Sequence, residues 1–116
     1  PSLGSKTKIE VNTKGFHTPG ILHKAGVKVS IITDAPVIPQ QYLPLCAGLA
    51  VKAGMDPFAA LQSITINPAR HLGIDNRVGS LEVGKDADIV LAAGDPLESS
   101  TQIQTVIVNG KVVAEN

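Results

Sequence analysis

The sequence predicts an α/β fold that changes architecture near residue 75. Before that point, short helical segments flank one apolar, β-branched run, Val27-Lys28-Val29-Ser30-Ile31-Ile32. After it, apolar residues recur with a period of two, and Asn109-Gly110 separates two β-rich runs, a strong hairpin signal.

The elements follow in order. The first 18 residues, with Gly4, Gly15 and the charged run Lys6-Thr7-Lys8-Ile9-Glu10, read as a loop that is long for a compact domain. Thr18-Pro19 looks like a helix start, the hydroxyl capping and the proline taking a first-turn place where its missing N–H costs nothing; Gly26 ends that helix. The run from Val27 reads as a buried strand closed by Thr33-Asp34-Ala35-Pro36. Tyr42, Leu45, Cys46, Leu49 and Ala53 then mark the apolar face of a second helix ending at Gly54. Asp56-Pro57 starts a third helix with Phe58, Leu61 and Ile64 on a stripe, and Asn67-Pro68 starts a short one that Gly73 closes. Antiparallel strands are expected around Leu81 and Val83, Ile89 and Leu91, Val106 and Val108, and over Lys111 to Ala114. A lone parallel strand cannot form a sheet, because its backbone groups would lack partners on both sides. The expectation is therefore a C-terminal piece of a larger protein, with Val27 to Asp34 one strand of a sheet or barrel built mostly from residues upstream of Pro1.

Composition narrows function by exclusion. The 116 residues are 43% hydrophobic and 17% charged, enough to bury a core. Ten basic residues balance ten acidic ones, which leaves no electrostatic footprint for nucleic acid. The apolar runs fall far short of the roughly 20 residues of a membrane span, and the start lacks the apolar core of a secretory signal. A single cysteine forms no internal disulfide, so a cytoplasmic location is expected.

Few residues are candidates for chemistry. Asp34 ends the apolar run, where parallel sheets and barrels place their active sites, and alternation sets it on a face with Lys28, Ser30 and Ile32, opposite Val27, Val29, Ile31 and Thr33. The competing reading is a turn aspartate folded onto its own backbone. His17, His23 and His71 have no metal-ligand spacing; His71 reads as a donor or cation at a helix C-terminus, the other two as solvent-facing. Cys46 lies on an apolar face and reads as an inert buried thiol, and Ser5-Lys6 reads as solvated loop. Gly79 to Lys85 lacks the P-loop pattern and opens a β segment, so it is no phosphate cradle.

Three stretches together resemble the metal-dependent amidohydrolase superfamily: Gly79-Ser80-Leu81-Glu82-Val83-Gly84-Lys85-Asp86-Ala87-Asp88-Ile89-Val90, Ile66-Asn67-Pro68-Ala69 with Leu72-Gly73, and Ile32-Thr33-Asp34. Imidazolonepropionase-like members are the nearest match, through Thr33-Asp34-Ala35-Pro36-Val37-Ile38-Pro39 and Gln41-Tyr42-Leu43-Pro44-Leu45. The resemblance implies a (β/α)8 TIM-type barrel flanked by a small β-sandwich. Residues 1–75 would be the C-terminal portion of the barrel and 76–116 the C-terminal part of the sandwich. It also implies a divalent metal, zinc foremost, and hydrolysis of an amide or cyclic amide bond in a small-molecule substrate by metal-activated water. Asp34 matches the aspartate that ends the eighth strand, which binds the metal or takes a proton from the water; the next position, polar in close relatives, is Ala35. The remaining ligands would lie on strands upstream of residue 1, so the chain alone is expected to be inactive. The Gly84 to Asp88 turn would be structural, with Asp86 and Asp88 capping tight turns. Two other readings stay open: a non-catalytic accessory or interaction module, and self-association of the chain into a homo-oligomer through unpaired strand edges.

Overall fold

The computed structural model describes residues 15–116. Four short α-helices precede a three-stranded antiparallel sheet: α1 Thr18–Lys24, α2 Leu43–Lys52, α3 Pro57–Ser63, α4 Ile66–His71, then β1 Ile89–Ala92, β2 Ile103–Val108 and β3 Lys111–Glu115 in the order β1-β2-β3. The predicted loop over the first residues, with Ser5-Lys6, lies largely outside the described residues. No helix among the described residues is long and apolar enough to cross a membrane.

Prolines start the helices as the sequence indicates. Pro19, Pro44 and Pro57 each sit in a first turn, where no intrahelical N–H is required. Asp56 caps α3 through Oδ1, which accepts the Ala59 N–H at 2.8 Å. Thr18 does not cap α1: the helix begins one residue earlier than expected, His17 takes the cap position, and no side chain bonds there. A 3-10 turn, Gln40–Tyr42, leads into α2.

The core corrects the expected helix faces. Ala47, Ala50, Met55, Ala59, Ala60 and Leu97 form it, so α2 and α3 meet on alanines that let their backbones approach closely. On α2 Cys46 is buried as expected, but Tyr42 and Ala53 are exposed; of the α3 stripe, Leu61 and Ile64 pack half-buried against the core as expected, while Phe58 turns outward, 66% exposed. The loop between β1 and β2 brings the β module onto this core. Leu97 inserts from it, its N–H bonds Asp95 Oδ1 at 2.9 Å, and its carbonyl lies so close to Gly48 that a β-carbon there would collide with it.

The expected strand at Leu81 and Val83 is absent: both residues are exposed in a turn region, where Lys85 N–H bonds Glu82 O. Downstream the hairpin forms as read. Asn109 and Gly110 both have positive φ, 50° and 76°, the geometry of a type I′ turn. Thr105 pairs with Glu115 and Val108 with Lys111 across it, with a register shift between Val106 and Ile107. Asp88 Oδ1 accepts the Asn109 N–H at 2.8 Å, fastening the turn to the segment before β1. Asp86, expected to cap a tight turn, instead pairs with Arg77 at 2.6 Å.

Candidate functional site

Residues 27–33 lie outside any helix or turn and form no strand among the described residues, because a strand is defined by its partners and none is present there, and Asp34 begins the turn that follows. Among the described residues the backbone of this segment is tied down at three places within 28–33: Asn67 Nδ2 donates to Val29 O at 2.9 Å, Ile31 N–H donates to Ser63 O at 2.9 Å, and Ile38 N–H donates to Thr33 O at 3.3 Å. The alternation of faces survives without the sheet. Val29 and Thr33 are buried against the helices and Ile31 is half-buried, while Lys28, Ile32 and Asp34 are exposed; Val27, assigned to the inner face, is exposed as well.

Asp34 therefore stands on the outer face at the end of this segment. Its φ is +55°, a left-handed conformation that aspartate tolerates better than most residues. The carbonyl of Asp34 accepts the Val37 N–H at 2.9 Å and closes a turn. Its carboxylate accepts no hydrogen bond from the described residues, so the side chain is not folded back onto its own turn. Both carboxyl oxygens are without a hydrogen-bond partner among the described residues.

A cation needs more than this. Catalytic zinc is held by about three protein ligands, and no group of three or more His, Cys, Asp or Glu side chains gathers among the described residues. Asp34 fits the part of one oxygen ligand, and no set of described residues can hold the ion by itself. Of the histidines, His17 and His23 are exposed as expected. His71, at the last residue of α4, has a partner the sequence did not indicate: its Nδ1 shares a 2.8 Å hydrogen bond with Ser30 Oγ, the donor being set by the imidazole tautomer. Cys46 is buried, and that burial pushes its thiol up from the ordinary value, away from the reactive thiolate.

Two other features bear on the site. Asn67, whose place before Pro68 indicates only a helix start, is buried at 6% exposure, and its Nδ2 donates to Val29 O at 2.9 Å. An open apolar groove of about 1100 Å³ runs between the helices and the β module, lined by Phe58, Leu61, Leu72, Ile74, Leu81 and Val90 among others, with none of residues 27–35 in its wall. In its lining Glu82 accepts a hydrogen bond from Ser80 Oγ and pairs with Lys85, which together hold its carboxyl below the usual carboxylate range.

The chain is similar to known proteins in sequence and fold. Adenine deaminase 1 of Desulfotalea psychrophila is 39% identical over 85 residues, 73% of this chain and 14% of that protein. A crystal structure of an amidohydrolase from Thermotoga maritima superposes with a TM-score of 0.93 at 34% identity, covering 100% of this chain and 30% of that one. A Xaa-Pro dipeptidase crystallised with methionine in its active site gives a TM-score of 0.73 at 31% identity over 87% of this chain and 25% of that one. The chain thus spans less than a third of each of these proteins. With residues 7–113 matching the Amidohydrolase family and the whole fold reproduced in one of its solved structures, the chain belongs to the amidohydrolase family.

Proposed function

We propose that this chain is the C-terminal part of a metal-dependent amidohydrolase that hydrolyses a C–N bond of a small molecule, an amide, cyclic amide or amidine. In this reading residues 1–75 complete a (β/α)8 barrel, with 27–34 as its last strand, and 76–116 complete a β-sandwich beside it. The main-chain groups of Lys28, Ser30 and Ile32, which bond nothing among the described residues, support a neighbouring strand along that edge. The names of the relatives support the chemistry: adenine deaminase acts on an amidine carbon, Xaa-Pro dipeptidase on an amide.

Asp34 carries the proposal, through its free, exposed carboxylate at the end of the extended segment. A divalent ion, zinc foremost, supplies when bound a lowered pKa for water and polarisation of the substrate's carbonyl or amidine carbon. Asp34 holds one side of the site. Its carboxylate takes the proton from water as the oxygen attacks carbon, then gives that proton to the departing nitrogen as the C–N bond breaks. Proton balance is closed by this one group, which returns to the carboxylate form at the end of the cycle. The remaining ligands and the substrate pocket belong to upstream parts of the protein, and the single cysteine fits a cytoplasmic location.

The test uses the full-length protein loaded with zinc. Ammonia release from adenine and hydrolysis of Xaa-Pro dipeptides and cyclic amides identify the substrate class; Asp34→Asn, which keeps the shape and loses the base, is expected to lower kcat by about 10²–10⁴-fold. Unchanged turnover in the variant removes Asp34 from the mechanism. The chain of 116 residues by itself is expected to turn over none of these substrates.

A further inference from the structure

Three consecutive residues of the extended segment are each fastened to the α3–α4 pair. Asn67 Nδ2 donates to Val29 O at 2.9 Å, Ser30 Oγ and His71 Nδ1 share a 2.8 Å bond, and Ile31 N–H donates to Ser63 O at 2.9 Å. In extended chain, alternate residues direct their backbone groups to the same edge. Val29 and Ile31 therefore present one edge, and the Asn67 amide and the Ser63 carbonyl stand there as the donor and acceptor of a missing strand. Asn67 and Ser63 are 6% and 0% exposed, so these contacts are shielded from competing water. An asparagine near a helix start ordinarily bonds its own backbone. Here Thr65 is the cap residue, with no side-chain cap bond, and Asn67 reaches across 38 positions of sequence instead.

We propose that this three-point clip positions Asp34, with Asn67, Ser30 and His71 as positioning residues; the inference rests on the function argued above for Asp34. Ile31 and Asp34 are three residues apart, about 10 Å of extended chain. Clip and turn bracket the segment: Ile31 is fixed on one side of Thr33, and the Ile38 N–H holds the Thr33 carbonyl on the other. A slip of one residue would exchange the two faces, burying Asp34 and exposing Thr33. Main-chain pinning by Asn67 opposes sliding, and the Ser30–His71 bond on the outer face opposes rotation. Misplacement by about 1 Å is enough to lower turnover about a hundredfold.

The experiment uses the full-length protein loaded with cobalt(II), whose visible absorption reports ligand geometry without turnover. Asn67→Asp keeps the shape and removes the donor; Ser30→Ala removes an outer-face hydroxyl and serves if the first variant fails to fold. Asp34→Asn is the reference, and Asp56→Ala, which touches only the α3 cap, is the stability control. Expected are altered cobalt bands in Asn67→Asp and Ser30→Ala, with kcat lowered about tenfold to a hundredfold at nearly constant KM, while Asp56→Ala keeps the parent spectrum. Parent-like bands and kcat in both clip variants, with Asp34→Asn altered, overturn the clip alone. Parent-like bands and kcat in Asp34→Asn overturn the Asp34 reading and the clip together.

Discussion

Single residues in this chain do different work according to whether a side chain is spent locally or kept free. Asp56 and Asp34 are the contrasting pair. Asp56 spends one carboxylate oxygen on the Ala59 N–H at 2.8 Å, supplying one of the donors a helix start leaves unpaired. Asp34 closes its turn through the main chain and keeps both carboxylate oxygens clear of the described residues. Replacing a capping aspartate by alanine typically costs about 1 kcal/mol. Asp56→Ala is thus expected to lower the unfolding free energy by about that amount, read as a lower denaturant midpoint at unchanged slope. A midpoint equal to the parent's would mean that water or Pro57 alone suffices at this helix start. Sequence made these two roles only half legible: Asp-Pro before a helical stripe identifies a cap, whereas Thr-Asp-Ala-Pro is equally compatible with a turn and a site. The coordinates place Asp34 in a turn closed through its main chain, with no hydrogen bond from its carboxylate to the described residues.

At the scale of elements, helix ends are more readable than helix faces, of which Cys46, Leu61 and Ile64 lie inward as expected and Tyr42, Ala53 and Phe58 do not. Proline at a first turn and glycine after a last one act through their own φ, so their effect is local and survives in any context. Faces depend on neighbours. Large residues such as Phe58 and Tyr42 drew the predicted stripes, yet α2 and α3 pack through Cys46, Ala47, Ala50, Ala59, Ala60 and Ser63, because small side chains allow the closest approach. The Asn67 contact to Val29 was illegible for a related reason: a bond between positions 38 apart leaves no local pattern. Close approach also governs how the β module is attached. Gly48 faces the Leu97 carbonyl with no space for a β-carbon. Gly48→Ala gains about 1 kcal/mol of helix propensity, but overpacking of this kind costs about 1–3 kcal/mol. The expected balance is a lower Tm, with Leu97 displaced from the core it shares with Ala47 and Ala50. A raised Tm would show that the loop between β1 and β2 yields freely to α2.

For the whole molecule the decisive quantity is apolar surface without a cover. Among the described residues no large hydrophobic side chain is fully buried, and the largest fully buried one is Ser63. Ile32, Phe58, Leu72, Leu81 and Val83 are exposed, and β3 is exposed along its length. Patches of this kind and free strand edges drive association. The two edges differ in their protection. β3 is Lys-Val-Val-Ala-Glu, with a charge at each end, whereas β1 is Ile-Val-Leu-Ala with none. Charged residues on an edge strand oppose addition of a further strand, because pairing would bury them. The chain of 116 residues, produced alone, is therefore expected to self-associate as its concentration rises, chiefly through β1. Val90, 57% exposed on that strand, is the place to test it. Val90→Lys should shift the elution volume in size-exclusion chromatography toward the monomer, and Val113→Lys on the already charged β3 should do so less. A parent chain that stays monomeric at every concentration, or a Val113→Lys effect as large as that of Val90→Lys, would show that the open β1 edge is not what holds the copies together.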